Sequence, residues 1–276
     1  MPTEDPQTVP GNQLDYLDHL SRNSARFREA LHDADPTARV PTCPDWDADD
    51  LWWHLGEVQW FWSQVVGGPL TDGDEVEALQ HPTRPTDRAG LEQFHLESSR
   101  ALQRALAETP PSTRAWTWSE EQTAGFSRRR QAHESLIHRL DAELTAGTRT
   151  DLDPALAADG VDEVLRIMYG GHPGWGRFVP EEGATIRLRT TDTGDSWLVT
   201  LGRFVGHDPG SDEDRDDPDI GIAASDTGEP ALAALSGTAA DLDCWLWHRP
   251  PVGEITREGD SGVIGRFEQI VSADID

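Results

Sequence analysis

From Leu14 the apolar positions Leu14, Leu17, Leu20, Phe27 and Leu31 recur at the intervals of one helical face, and Pro36 closes the segment. Asp47 is placed to cap a second helix with an apolar face of Leu51, Leu55, Val58, Trp62 and Val65, ended by Gly67-Gly68-Pro69. A third helix is predicted from about Asp87 to Glu108, with Leu91, Phe94, Leu102 and Leu106 on one side and Pro110-Pro111 as its stop. A fourth begins near Ser127, carries Leu136, Ile137, Leu140 and Leu144, and ends at Gly147. Four amphipathic helices with joins of very different length predict a helical bundle over residues 12–150, preceded by a loose polar arm at 1–11.

After Asp151 the period changes. Val161–Met168 reads as a helix, whereas 184–190 and 196–205 alternate and are rich in β-branched residues, as paired strands are. The acidic run between Asp208 and Asp219 reads as a solvated loop, an insertion over 211–217. Ile220–Ala224 predicts a further strand, Thr238–Trp247 a buried helix and Val263–Val271 a last one. The expectation for residues 151–276 is a separate, smaller α+β domain, making the whole chain a two-domain α+β protein.

A length of 276 residues suits two domains, and 11 Trp argue for packed cores rather than disorder. The net charge of −28 opposes binding to nucleic acid or anionic lipid. No Lys occurs, so every basic side chain other than His is Arg. No apolar run approaches a membrane span, and residues 1–6 lack the basic and apolar regions of a signal peptide. A cytoplasmic protein, monomer or homodimer, is expected. Cys43 and Cys244 are too few for a disulfide scaffold and read as small buried hydrophobes.

The sharpest local chemistry lies on the fourth helix. Glu134 and His138 are four residues apart and share one face, a stripe that Asp141 continues, while His133 belongs to another face. His133 and His138 are five apart, which excludes the zinc-protease pattern of two histidines at four. His54 stands on the apolar face of the second helix, from which it could supply a third ligand. Two imidazoles, one carboxylate and an open position suit catalytic zinc and also non-haem iron(II). A lone histidine on an apolar face is more often a satisfied core residue, and a Glu/His pair at four more often a solvated face. Periodicity alone leaves both readings open.

The stretch 40–56, VPTCPDWDADDLWWHLG, resembles the N-terminal signature of the mycothiol-dependent maleylpyruvate isomerase family, a branch of the DinB-like metal-binding four-helix bundles. Residues 132–143, AHESLIHRLDAE, resemble its second signature. Residues 237–250, GTAADLDCWLWHRP, resemble its C-terminal domain, which is similar in fold to sterol-carrier proteins. The resemblance spans nearly the whole chain in the expected order. It implies Zn2+ on His54, Glu134 and His138, with mycothiol as a thiol cosubstrate held as thiolate.

The implied activity is isomerisation of, or S-transfer to, a small and anionic electrophile. Arg249 is a candidate for holding the anion, or else caps the helix ending near Trp247, and Asp141 joins it as a candidate catalytic residue. Arg130, in the run Arg128-Arg129-Arg130, and Trp53 are candidates at the cosubstrate, against readings as a solvated first turn and core filler. Two other classes stand beside the thiol enzyme: a non-catalytic metal- or small-molecule-binding regulatory protein, and an iron(II) enzyme on the same ligands.

Overall fold

The structure, a computed structural model, describes residues 14–226, 228–273 and 275. The arm expected at 1–11 lies outside them. The chain opens with α1 (Tyr16–His32), a two-stranded ribbon of β1 (Arg39–Val40) and β2 (Cys43–Asp47), and α2 (Ala48–Gly67). The short α3 (Gly73–Glu77) and the long α4 (Arg88–Glu108) and α5 (Ala124–Thr145) follow.

Polar caps set the starts of these helices. Asp47 accepts from the backbone N–H of Asp49 and Asp50, and Asp50 answers by accepting from that of Asp47, which makes a capping box. Asp87 caps α4 and Thr123 caps α5, so α5 starts a turn earlier than its apolar residues suggest. In the four-helix bundle α1 packs on α5 and α2 on α4. Helices α2 and α4 approach closely at Gly56, where a Cβ would stand 3.0 Å from the Phe94 ring.

Helix α5 is buried on nearly every side from Ala124 to Glu143, with Arg130, His133, Asp141 and Glu143 among the buried residues. Its pattern is weakly amphipathic because α1 and α2 cover one side and later elements cover the other. Buried charges at such a position must be paired, and these are.

Next come α6 (Pro154–Glu163) and a π-helical turn over Val164–Tyr169, continuous with it. The helix read at Val161–Met168 is the end of this longer element. Asp153 caps it and Pro154 occupies its first turn, where a missing N–H costs nothing. A five-stranded sheet is built from β3 (Gly176–Thr190), β4 (Ser196–Asp208), β5 (Glu213–Ile222), β6 (Ala233–Gly237) and β7 (Thr256–Gly259). Their order is β5-β4-β3-β6-β7; the β3–β6 pair is parallel and the others antiparallel. Helix α7 (Ala239–Leu246) follows β6, and α8 (Ser261–Ile270) closes the chain.

The sheet's core joins Ile186, Leu188, Val199 and Leu235 to Val161, Leu242, Leu246 and Phe267. Each such side chain contributes about 1.5–3 kcal/mol on burial. Ile137 of α5 belongs to the same cluster, so the bundle and the sheet region share apolar contact beside the candidate site.

One expectation is corrected. The acidic run is a loop only over 209–212: Glu213–Ile222 forms an edge strand paired with β4, with His207 opposite Asp214 and Phe204 opposite Asp217. Backbone pairing does not require apolar side chains, and on an edge the carboxylates stay solvated while Pro218 is tolerated. The cross-strand pairs Arg203–Asp216 and His207–Asp214 hide the alternation on which strand reading depends.

Candidate metal centre

Helix α2 presents His54, and α5 presents Glu134 and His138 one turn apart. The Nε2 atoms of the two histidines are 3.1 Å apart. Glu134 Oε1 lies 3.4 Å from His54 Nε2 and 3.1 Å from His138 Nε2. Among the described residues this is the one cluster of three or more His, Cys, Asp or Glu whose ligand atoms all lie within 4.8 Å of one another.

The donor spacing tests the fit of a metal. Two donors on a tetrahedral zinc, at bond lengths of about 2.0–2.1 Å, are roughly 3.3 Å apart. The three separations bracket that value, so the side chains already converge as a single ion would require. Ring orientation agrees: His138 Nδ1 lies 2.9 Å from Asp141 Oδ2. A carboxylate there accepts a hydrogen bond from Nδ1–H, the tautomer in which the Nε2 lone pair faces the cluster.

Asp141 is fully buried and held from three directions. It accepts from Thr42 Oγ1 at 2.6 Å, in the turn between β1 and β2, and from Arg249 Nε at 3.0 Å and Nη2 at 2.6 Å. Arg249 Nη1 donates to the Trp247 carbonyl at 2.7 Å. On the other side of the cluster, Arg130 Nη2 donates to Glu134 Oε2 at 2.6 Å and Nη1 to Glu163. The Arg130 guanidinium also lies over the Trp247 ring, 4.9 Å from its centroid.

These contacts set the protonation states. Burial alone would raise the Glu134 pKa, but His138, His54 and Arg130 hold it well below the usual carboxylate range. Burial pulls His138 down, yet Glu134 and Asp141 outweigh it and raise it to about 9. Burial opposes ionisation of Asp141 too, and Arg249 and His138 keep it ionised. The field that raises His138 is one that attracts a cation.

A cleft of about 490 Å³ opens from this cluster. The bundle lines it with Trp46, Val58 and Trp62, and the later elements supply Met168, Trp247 and Arg249. Trp46 lies against the His54 ring at 4.6 Å between centroids.

The sequence candidates fall at different distances from the cleft. His54, Glu134, His138, Arg130 and Arg249 line it. Asp141 stands behind His138, where it can orient the ring but has no surface for substrate. Trp53 is not among the cleft's lining residues; its ring stacks on Phe94 at 5.1 Å. The remainder of the arginine run is structural: Arg128 donates to the Leu106 and Thr109 carbonyls, and Arg129 pairs with Asp159 and Asp162. His133 is also taken by Asp159, at 2.8 Å.

Cys244 is buried as expected. Cys43 is only half-buried and lines the cleft, with its thiol pKa pushed up by burial and by Asp141. Sequence reasoning gave no role to Thr42, Trp46, Met168, Glu163 or Trp247. Thr42 and Trp46 lie in the stretch before α2, and that position was their only signal. Met168, Glu163 and Trp247 reach the site through tertiary packing alone.

Residues 17–143 match the mycothiol maleylpyruvate isomerase N-terminal domain, and residues 155–266 match the MDMPI C-terminal domain. Among solved structures, the chain is similar to the crystal structure of the mycothiol-dependent maleylpyruvate isomerase, with a TM-score of 0.55 at 15% identity over 89% of this chain and 93% of that one. It is also similar to a histidine-to-alanine mutant of the mycothiol-dependent maleylpyruvate isomerase, with a TM-score of 0.51 at 13% identity over the same shares. At such identities the likeness concerns the fold. No curated protein matches the chain.

Proposed function

The chain belongs to the mycothiol maleylpyruvate isomerase family, and we propose that it is a thiol-dependent enzyme acting on a small electrophile, with Zn2+ held by His54, Glu134 and His138. The observation that carries this reading is the convergence of three donors from two helices on the wall of a cleft. A zinc ion there would supply Lewis acidity, binding a thiol sulfur such as that of mycothiol and keeping it as thiolate at neutral pH.

The chain's own residues do the rest. Asp141 accepts a hydrogen bond from His138 Nδ1–H and fixes the ring, Thr42 and Arg249 hold Asp141, and Trp46 backs His54. Arg130 restrains the Glu134 oxygen not shared with the histidines. Val58, Trp62 and Trp247 give the cleft an apolar wall beside the cluster. The chemistry is addition of sulfur to an electrophilic carbon: the S–C bond forms as the π pair of the substrate shifts to its carbonyl. Expulsion of the sulfur after rotation gives the isomer, whereas protonation at carbon gives the conjugate.

Elemental analysis followed by calorimetric titration with mycothiol, before and after chelation, tests this reading. One zinc per chain, with thiol binding that vanishes on chelation and returns with zinc, is the expected result. Zinc without thiol binding would favour a binding protein, and iron would place the ligands in oxygen chemistry.

A further inference from the structure

The cleft's walls and charges say what kind of electrophile it fits. Four indoles line it: Trp46, Trp62, Trp118 and Trp247. Trp118 at the rim is 50% exposed, and Trp62 and Trp247 are buried. Flat aromatic walls of this kind contribute most to a ligand with a π-face of its own.

The charges argue the same way. The two guanidinium groups of the cleft are both engaged, Arg249 by Asp141 and Arg130 by Glu134 and Glu163. With a divalent ion and one thiolate in place, the ion and the two guanidiniums are matched by three carboxylates and the thiolate. No positive charge is left to pair with a carboxylate on the substrate, so desolvating one would go uncompensated. The net charge of −28 adds a long-range repulsion against anions.

We propose that the electrophile is a neutral, planar, aromatic-sized carbonyl compound rather than the small anion that Arg249 suggests from sequence. The proposal rests on the thiol reading for the word electrophile, but the choice of a neutral aromatic over an anion rests on the cleft alone.

The test uses a matched pair of unreactive probes on the full-length protein as purified: methyl 3-benzoylpropionate and its free carboxylate, 3-benzoylpropionate. Both are titrated by quenching of tryptophan fluorescence and by calorimetry with mycothiol held at saturation, since the charges of the cleft balance only with a thiolate in place. The ester is expected to bind at least about ten-fold tighter, each ten-fold being a modest difference in free energy. Trp118→Ala is expected to weaken the ester several-fold with the far-UV circular dichroism retained, since the ring is half exposed and loses only its edge contact with Phe126. Equal or tighter binding of the carboxylate, no binding of either probe, or indifference of the ester to Trp118→Ala would overturn the proposal.

The unsaturated counterparts, methyl 3-benzoylacrylate and 3-benzoylacrylate, are then assayed with mycothiol, and kcat/KM is expected to favour the ester by a similar factor. A carboxylate preferred in that assay would overturn the proposal as well. Tight ester binding in a protein that binds no thiol would retire the enzyme reading and leave the pocket's ligand class standing.

Discussion

Arg249 grips Asp141 across 108 residues of sequence, Nε to Oδ1 at 3.0 Å and Nη2 to Oδ2 at 2.6 Å. The guanidinium fork matches both carboxylate oxygens. Because Asp141 also bonds His138 Nδ1, the segment after α7 reaches a candidate metal ligand through one buried carboxylate. The bundle supplies the three donors, and the later part of the chain helps to hold one of them in orientation.

On the proposed reading, replacing either imidazole would remove a metal bond, and at His54, which is partly exposed, most of the packing is spared. His54→Ala and His138→Ala are each expected to lose the bound metal and to retain the far-UV circular dichroism of the helices. Unchanged metal content in either variant would displace the site.

Asp141→Asn puts an amide where His138 needs a pure acceptor. Loss of such an outer partner typically lowers metal affinity by about 10–100-fold. Competition with a chelator of known affinity measures it, and an affinity within two-fold of the parent would remove Asp141 from the site's support.

Arg249→Met leaves the Asp141 carboxylate buried without its guanidinium partner, and removing one partner of a buried pair costs about 3 kcal/mol. Urea unfolding should show that loss. Adding Asp141→Asn should recover part of it, because the stranded charge is then gone. Strict additivity of the two changes would show that they do not interact.

Trp53→Leu separates packing from chemistry. Loss of the stack on Phe94 is expected to lower stability by about 1 kcal/mol and to leave thiol affinity within two-fold. A fall in thiol affinity without loss of stability would return Trp53 to the cosubstrate.

Asp243 is fully buried with neither carboxyl oxygen hydrogen-bonded, and burial, with Glu163 nearby, pushes its pKa well above the ordinary range. A carboxyl raised in the folded state contributes its full stability below its unfolded pKa of about 3.9. That contribution is lost as pH climbs toward the raised value. Asp243→Asn escapes the loss, so its melting temperature should exceed the parent's by about 2–5 °C at pH 7.5. The gain should shrink toward pH 4.5. A larger gain at pH 4.5 than at 7.5 would contradict a raised pKa.

The contrast between Glu134/His138 and Trp53 shows how far the chain could be read without its fold. The helical period alone puts Glu134 and His138 on one face, and the apolar neighbours of His54 turn it toward the bundle. Local spacing and caps such as Asp47 and Asp87 likewise settle where the long helices lie, because those interactions close within a turn or two. Trp53, one residue from a ligand, points instead to Phe94, because a single helical step swings a side chain by about 100°. Its true direction depends on where α4 packs.

The strand over 213–222 was hidden because a solvated edge is held by backbone pairing with β4, which leaves no apolar alternation in the sequence. Arg249 and Asp141 could be named separately, but their pairing could not. It arises when segments 108 residues apart are brought together by packing between α5 and the end of α7. That meeting pairs Arg249 with Asp141 behind His138, a partner that no local spacing announces. Contacts within a turn follow from covalent geometry and period; contacts between distant segments exist only once the shared core has closed.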